Sequence, residues 1–437
     1  MTLSSSTKLG AAVLVAVTVH ACQAGPNETG SNEAASTQAA QKAFPAGTES
    51  EVAADKIREI QRRQDNLQGG PAIQELATAA IEADPEFALA YLYRAYQFPP
   101  DMEALAKAEE LAVKAPDSHR RYIELQATTF KDPTVAPNVA AIEPLQKLAE
   151  EYPGERLLWM VIGQYQQMDG RTADARASYE RALALDDSTP RVHAALAGTL
   201  ILDGQYAEAR AALEKALAKV PADSAPANIR YQVAFTYLYE GNVDAALETL
   251  TGYVAEYEAA GRPFGIPEVF IWNSIARVNL ESGRLEEAME AYERGYESVP
   301  GSDLDEKQKK LWYGRLLHGK SRTLARMGQH DEAWKNVVAV REMIDEGGEE
   351  AEPFEPAYHY LAGYCKLEAG ETDAAIEHLK QADPNDPFQR LLLARAYEKA
   401  GQDAEARETY EEVVGSQTNN IERALAYPEA QRKLSAG

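Results

Sequence analysis

The side chains able to do chemistry are few and scattered. Seven histidines occur, His20, His119, His193, His318, His330, His359 and His378, and no two stand three or four residues apart. None therefore shares a helix face with another, as paired metal ligands would. The two cysteines, Cys22 and Cys365, are too few for a zinc site or a disulfide framework. Cys365, beside Tyr364 and Leu367, reads as a small core residue. Carboxylates number 69, so pairs at helical spacing arise by chance. Their densest run, Glu346 to Glu352 around two glycines, reads as a solvated loop rather than a cation site. No HExxH, phosphate-cradling glycine loop or serine elbow is present. The sequence implies no cofactor, no metal and no enzyme. Catalysis would need residues from distant segments to converge, and nothing in the pattern shows that.

The elements around these residues are helical by composition. The chain of 437 residues is 45% hydrophobic, rich in Ala, Glu, Leu and Arg and poor in β-branched runs. Its net charge of −25 repels nucleic acid and anionic headgroups, so nucleic acid is not expected as a partner.

The first residues read as an address. Lys8 precedes an uncharged, largely apolar run from Leu9 to Ala21, shorter than the roughly 20 residues a membrane-spanning helix needs. A charged start, a short apolar stretch and small residues make a secretory signal. The end of the run, Val19-His20-Ala21-Cys22, resembles the bacterial lipobox at Val19, Ala21 and Cys22 and departs from it at His20. The resemblance implies residues 1–21 as signal peptide and Cys22 as the lipidated first residue of the mature chain. Gln23, not Asp, follows, which in Gram-negative lipoproteins implies the outer membrane, on its periplasmic side. Ordinary cleavage at the same bond would instead give a soluble periplasmic or secreted protein. Residues 22–50, polar and small, read as a flexible tether.

From residue 51 the chain is punctuated. A glycine is followed five residues later by alanine at Gly170/Ala175, Gly204/Ala209, Gly241/Ala246, Gly283/Ala288, Gly328/Ala333, Gly370/Ala375 and Gly401/Ala406. A bulky residue comes four after the alanine and usually a small one seven after, as in Ala175-Tyr179-Ala182. The glycine ends one helix in a left-handed conformation. The alanine lets the next helix approach closely, and the bulky residue lies on that same face. Prolines such as Pro221, Pro300 and Pro387 stop the second helix or start the next. Upstream, Trp159-Ile162-Gly163 and Trp272-Ile275-Ala276 mark a first helix.

This pattern resembles the tetratricopeptide repeat. One glycine-to-glycine step, 34 residues, matches the family period; the others are 37, 42, 45, 42 and 31. Degenerate copies around Ala72, Ala104 and Ala141 fill 51–153, and clear repeats fill 154–414. The resemblance implies an all-α, right-handed α-solenoid of about ten hairpins over 51–414. The segment 415–437 then carries a capping helix, Ile421 to Leu434, over the last apolar face.

In this family the first helix of each repeat lines an inner groove near its second, fifth, ninth and twelfth positions. With Ala175 and its equivalents at position twenty, the register places Asn228, Tyr231 and Phe235 in the groove, then Phe270, Asn273 and Arg277. Arg315, His318 and Arg322 follow, then Tyr360 and Tyr364, and finally Arg395. His193 falls at a packing position and reads as a satisfied ring. Arginine forks suit carboxylates and Asn suits peptide amides, a loose likeness to the carboxylate clamp of some tetratricopeptide proteins. The opposing reading pairs these arginines with neighbouring glutamates. The expected function is a non-catalytic scaffold of the cell envelope holding an extended protein or peptide segment, acidic in character. An alternative is a glycan- or peptidoglycan-binding accessory, with tyrosines stacking on sugar rings.

Overall fold

The computed structural model describes residues 42–69, 71–96, 100–132, 136–220, 226–259, 261, 268–302 and 304–436. The signal segment 1–21, Cys22 and the expected tether as far as residue 41 lie outside the described residues. Among the described residues every element is helical.

Two compact units divide the chain: residues 1–203 with 211–224, and 204–210 with 225–437. The first contains α1 (Glu51–Asp65), α2 (Pro71–Ala83), α3 (Ala88–Ala95), α4 (Met102–Ala112), α5 (Asp117–Lys131), α6 (Ala136–Glu151), α7 (Arg156–Met168), α8 (Thr172–Leu185) and α9 (Pro190–Leu202), with most of α10 (Tyr206–Lys219). The second contains α11 (Ala227–Tyr239), α12 (Val243–Ala259), α13 (Val269–Glu281), α14 (Leu285–Glu297), α15 (Glu306–Arg326), α16 (His330–Gly347), α17 (Glu355–Glu368), α18 (Thr372–Leu379), α19 (Pro387–Lys399), α20 (Asp403–Gly415) and α21 (Ile421–Ala436). Successive hairpins α1/α2, α3/α4, α5/α6 and α7/α8 build the first unit, and α11/α12, α13/α14, α15/α16, α17/α18 and α19/α20 the second, as the repeat requires.

Single-residue constraints set the hairpins. All seven repeat glycines have positive φ, between 71° and 85°, a conformation that a Cβ resists. At Gly170 the turn closes with Arg171 N–H donating to Gln166 C=O at 2.8 Å and Gly170 N–H to Gln167 C=O at 3.0 Å, which satisfies the carbonyls the helix end leaves free. The alanines five residues on are buried, as are the bulky residues behind them, among them Tyr179, Leu213, Leu250 and Tyr292. Gly163 makes room for one of these: a Cβ there would lie 2.5 Å from the Tyr179 ring.

His193 is buried, its Nε2 2.9 Å from the Asp187 carbonyl, and Cys365 is buried against the Ser321 hydroxyl. The glutamates of 346–352 are exposed, in the end of α16 and a short 3₁₀ turn (Gly348–Phe354), with Lys310 and Lys307 pairing to Glu346 and Glu350.

Residues 42–50, read from the sequence as part of a tether, lie packed on the first unit. The Phe44 ring meets the edges of His119, Tyr122 and Tyr152 at 5.1–6.2 Å, and Phe44 N–H donates to Glu155 at 3.2 Å. One aromatic in a stretch of small residues provides the anchor.

In each unit the first helix comes back to the last odd-numbered one. Helix α1 packs on α9, and α11 packs on α21. Besides covering α19 and α20 as a cap would, α21 reaches α11 and α13.

Candidate partner-binding faces

The inner side of the second unit is lined by first helices, α13 beside α15, α15 beside α17 and α17 beside α19. Their ninth register positions are Arg277, Arg322, Tyr364 and Arg395. The structure brings them into one layer with Tyr360, which the register had at position five. Arg322, 4% exposed, donates to Tyr360 Oη at 2.9 Å and to Tyr292 Oη at 3.0 Å. Glu281, at the end of α13, stands 3.8–4.0 Å from the guanidinium nitrogens of Arg277, Arg322 and Arg326. Tyr364 is buried, with Arg322 5.9 Å from its ring centre.

This layer is rich in cations. Burial works against the charge of Arg277, but the Tyr360, Glu422 and Glu281 oxygens around it prevail and hold its pKa above the ordinary value. His318, half-buried against the Ala357 carbonyl at 3.1 Å, is held well below its usual pKa by burial and then by Arg322, Arg277 and Arg315. Asp386 accepts from the Phe388 and Gln389 amides at the start of α19. Burial and then the nearby Glu422 push its carboxyl up to about 6.

Other expected groove residues fall elsewhere. Phe270 meets the Trp312 ring edge-on at 4.6 Å, and Asn273 lines a pocket with Val269, Tyr292, Gly295, Tyr296, Trp312 and Leu316. Arg315 is exposed, over the Trp312 ring at 4.7 Å. Tyr231 and Phe235 stack at 6.2 Å, with Phe235 buried and Asn228 exposed.

The opposing reading, arginines paired with glutamates, describes Arg277 and Arg395, but sequence reasoning did not name the carboxylates. Glu429 of α21 takes hydrogen bonds from Arg395 Nε at 2.8 Å and Nη2 at 2.5 Å, and Glu422 lies 3.6 Å from Arg277 Nη1. The spacing of seven between Glu422 and Glu429, which puts both on one helix face, was the available signal. It also missed that His359 and His378 meet across the α17–α18 hairpin, Nδ1 to Nδ1 at 2.9 Å. Among the described residues no three metal-ligating side chains converge.

Two tetratricopeptide-repeat family profiles match the sequence, one over residues 166–230 and 366–426, the other over 235–303 and 319–389, together more than half its length. The chain is a tetratricopeptide-repeat protein. No protein of curated function matches it. Among solved structures it is similar to a tetratricopeptide repeat protein from Parabacteroides merdae, at 19% identity over 63% of this chain and 99% of that one, with a TM-score of 0.44. It is also similar to the APC/C hetero-tetramer Cut9–Hcn1, at 14% identity over 79% and 76%, TM-score 0.37. A third is the human IFIT1 dimer with m7Gppp-AAAA, at 17% identity over 83% and 90%, TM-score 0.41. Tetratricopeptide repeats are protein–protein interaction scaffolds and typically carry no catalysis. In this tetratricopeptide-repeat protein, among the described residues, no helix is long and apolar enough to cross a membrane.

Proposed function

We propose that this tetratricopeptide-repeat protein is an interaction scaffold of the bacterial cell envelope, held there by a lipid on Cys22, and that its second unit grips an acidic protein segment. The observation that carries the reading is the ninth-position layer. A chain of net charge −25 gathers Arg277, Arg322 and Arg395 on one inner face, and its own helix meets Arg277 and Arg395 with carboxylates. Arginine forks select carboxylates by geometry as well as charge. Arg322, bonded to two tyrosine hydroxyls in the interior, positions the layer, and Arg277 and Arg395 face the ligand.

Cross-linking pull-down from native membranes, read by mass spectrometry, tests this. Arg277→Ala with Arg395→Ala is expected to lower recovery of the specific partner about tenfold while the helical circular dichroism stays unchanged, and Cys22→Ser moves the chain to the soluble fraction. Unchanged partner recovery from the folded double variant would remove the arginine layer from the function.

A further inference from the structure

The arginine layer is occupied, and its occupant shows what fits. Glu422 and Glu429 sit two helical turns apart on α21 and meet Arg277 and Arg395. Between them Arg423, 3% exposed, donates to Tyr239 Oη at 3.0 Å and lies over the Tyr427 ring at 4.4 Å. Asn419, just ahead of the helix, donates to Gln232 at 3.2 Å.

The fully buried apolar residues of α21 are three alanines, Ala424, Ala426 and Ala430, while Leu425 and Leu434 pack half-buried against the same core. Neighbouring α19 buries Phe388, Tyr397 and three leucines. At about 25 cal/mol per Å² of apolar surface, α19 is held by more apolar burial than α21. Pro428 inside α21 removes one of its backbone hydrogen bonds, and residues 416–420, Ser-Gln-Thr-Asn-Asn, join it to α20 as polar non-helical chain.

The fit is also incomplete. Arg277 Nε and Nη2, Glu281 Oε1, Asn419 Oδ1 and Arg423 Nε are buried without a hydrogen-bond partner, five of the nine such side-chain atoms among the described residues. Of these, Arg277 and Glu281 belong to the seat and keep unused hydrogen-bonding capacity that a better-matched ligand can use.

We infer that α21 is a resident stand-in for a carboxylate-bearing helix of a partner protein: the seat on α11, α13, α19 and α20 takes a helix bearing carboxylates two turns apart, and α21 gives way to it. The inference rests on the proposed function for its premise that a protein is bound at this face, and it adds the ligand's chemistry and the exchange that admits it. On so short a linker α21 presents itself to the seat at an effective concentration on the order of mM. A competitor in trans is therefore visible once that hold is loosened.

The probe is a fluorescent peptide of this chain's own sequence from Asn419 to Ala436, read by anisotropy against the full chain. Glu422→Gln with Glu429→Gln loosens α21 and leaves the seat intact. This variant is expected to bind the peptide about tenfold or more tighter than the unaltered chain does, and a peptide carrying the same two changes binds about tenfold weaker. Arg423→Gln, which loosens α21 through a different contact, is expected to raise peptide affinity likewise and serves if the double variant does not fold. Equal affinity for altered and unaltered chains, absent binding to a folded variant, or indifference to the peptide's two carboxylates would each overturn the inference. None of these readings depends on a native partner, so a failed pull-down and a failed exchange are separate results.

Discussion

The two units use one hairpin register and differ in the balance of neutral and charged side chains inside. In the first, the inner side chains form a neutral ladder: Gln61 donates to Tyr93 at 3.2 Å, Tyr96 to Gln126 at 3.0 Å, and Gln126 to Tyr165 at 3.1 Å. Burial lifts the Tyr93 hydroxyl to about 12, so the ladder stays uncharged. Helix α1 buries Ala53, Ala54, Ile57 and Ile60, and Asp65 at its end pairs with Arg156. In the second unit the interior holds buried arginines around Glu281, and the closing helix brings alanines, half-buried leucines, Arg423 and two carboxylates. Neutral hydrogen bonds behind buried isoleucines resist salt and exchange. Partly exposed ion pairs in front of alanines yield to both. The repeat thus determines the scaffold, and the inner residues determine whether it is shut or can be entered.

The largest expected effect sharpens that contrast. Arg322→Ala removes a buried cation bonded to Tyr292 and Tyr360 and leaves Glu281 short of a counter-charge, so it should destabilise the second unit by about 3 kcal/mol or more. Tyr165→Phe cuts one rung of the neutral ladder and should cost the first unit about 1 kcal/mol. Urea unfolding of the two variants, followed by proteolysis to tell the units apart, checks the ranking.

Next in size is the pH response of individual buried groups. Burial holds His119, 2% exposed beneath Phe44, at a pKa of about 4. The unfolded chain takes up that proton below about 6.5. The first unit should therefore lose stability as pH falls from about 6.5 towards 4, by up to about 3 kcal/mol, and His119→Phe should flatten the loss in thermal unfolding. Asp386, raised to about 6 by burial and then by Glu422, holds its proton better folded than unfolded. Its contribution is complete below the ordinary carboxylate range and is lost as pH rises through 6, opposite in sign to that of His318 in the same unit.

The sequence made the hairpins legible because each rests on a one-residue constraint. The left-handed turn at Gly170 and the close approach at Gly163 admit almost nothing but glycine. The ninth-position arginines were legible too, once Ala288, Ala333 and Ala406 set the register. What covers them was not. Whether α21 reaches α11 depends on curvature summed over five hairpins, with glycine steps as uneven as 42, 45 and 31, and no local pattern encodes that sum. The His359–His378 contact was hidden for a related reason: nineteen residues separate them in sequence, and only the folded hairpin makes them neighbours. Phe44 shows a third limit, since composition averages conceal a single anchoring ring.

The central claim is that α1 closes one unit firmly while α21 closes the other exchangeably, and amide hydrogen exchange on the full, unaltered chain at low and high salt tests it most directly. The expected result is protection in α1 matching α9 at both salt concentrations. Helix α21 should exchange as one block, about tenfold or more faster than α19, with the gap widening as salt rises. Protection of α21 equal to that of α19, and indifferent to salt, would contradict the account.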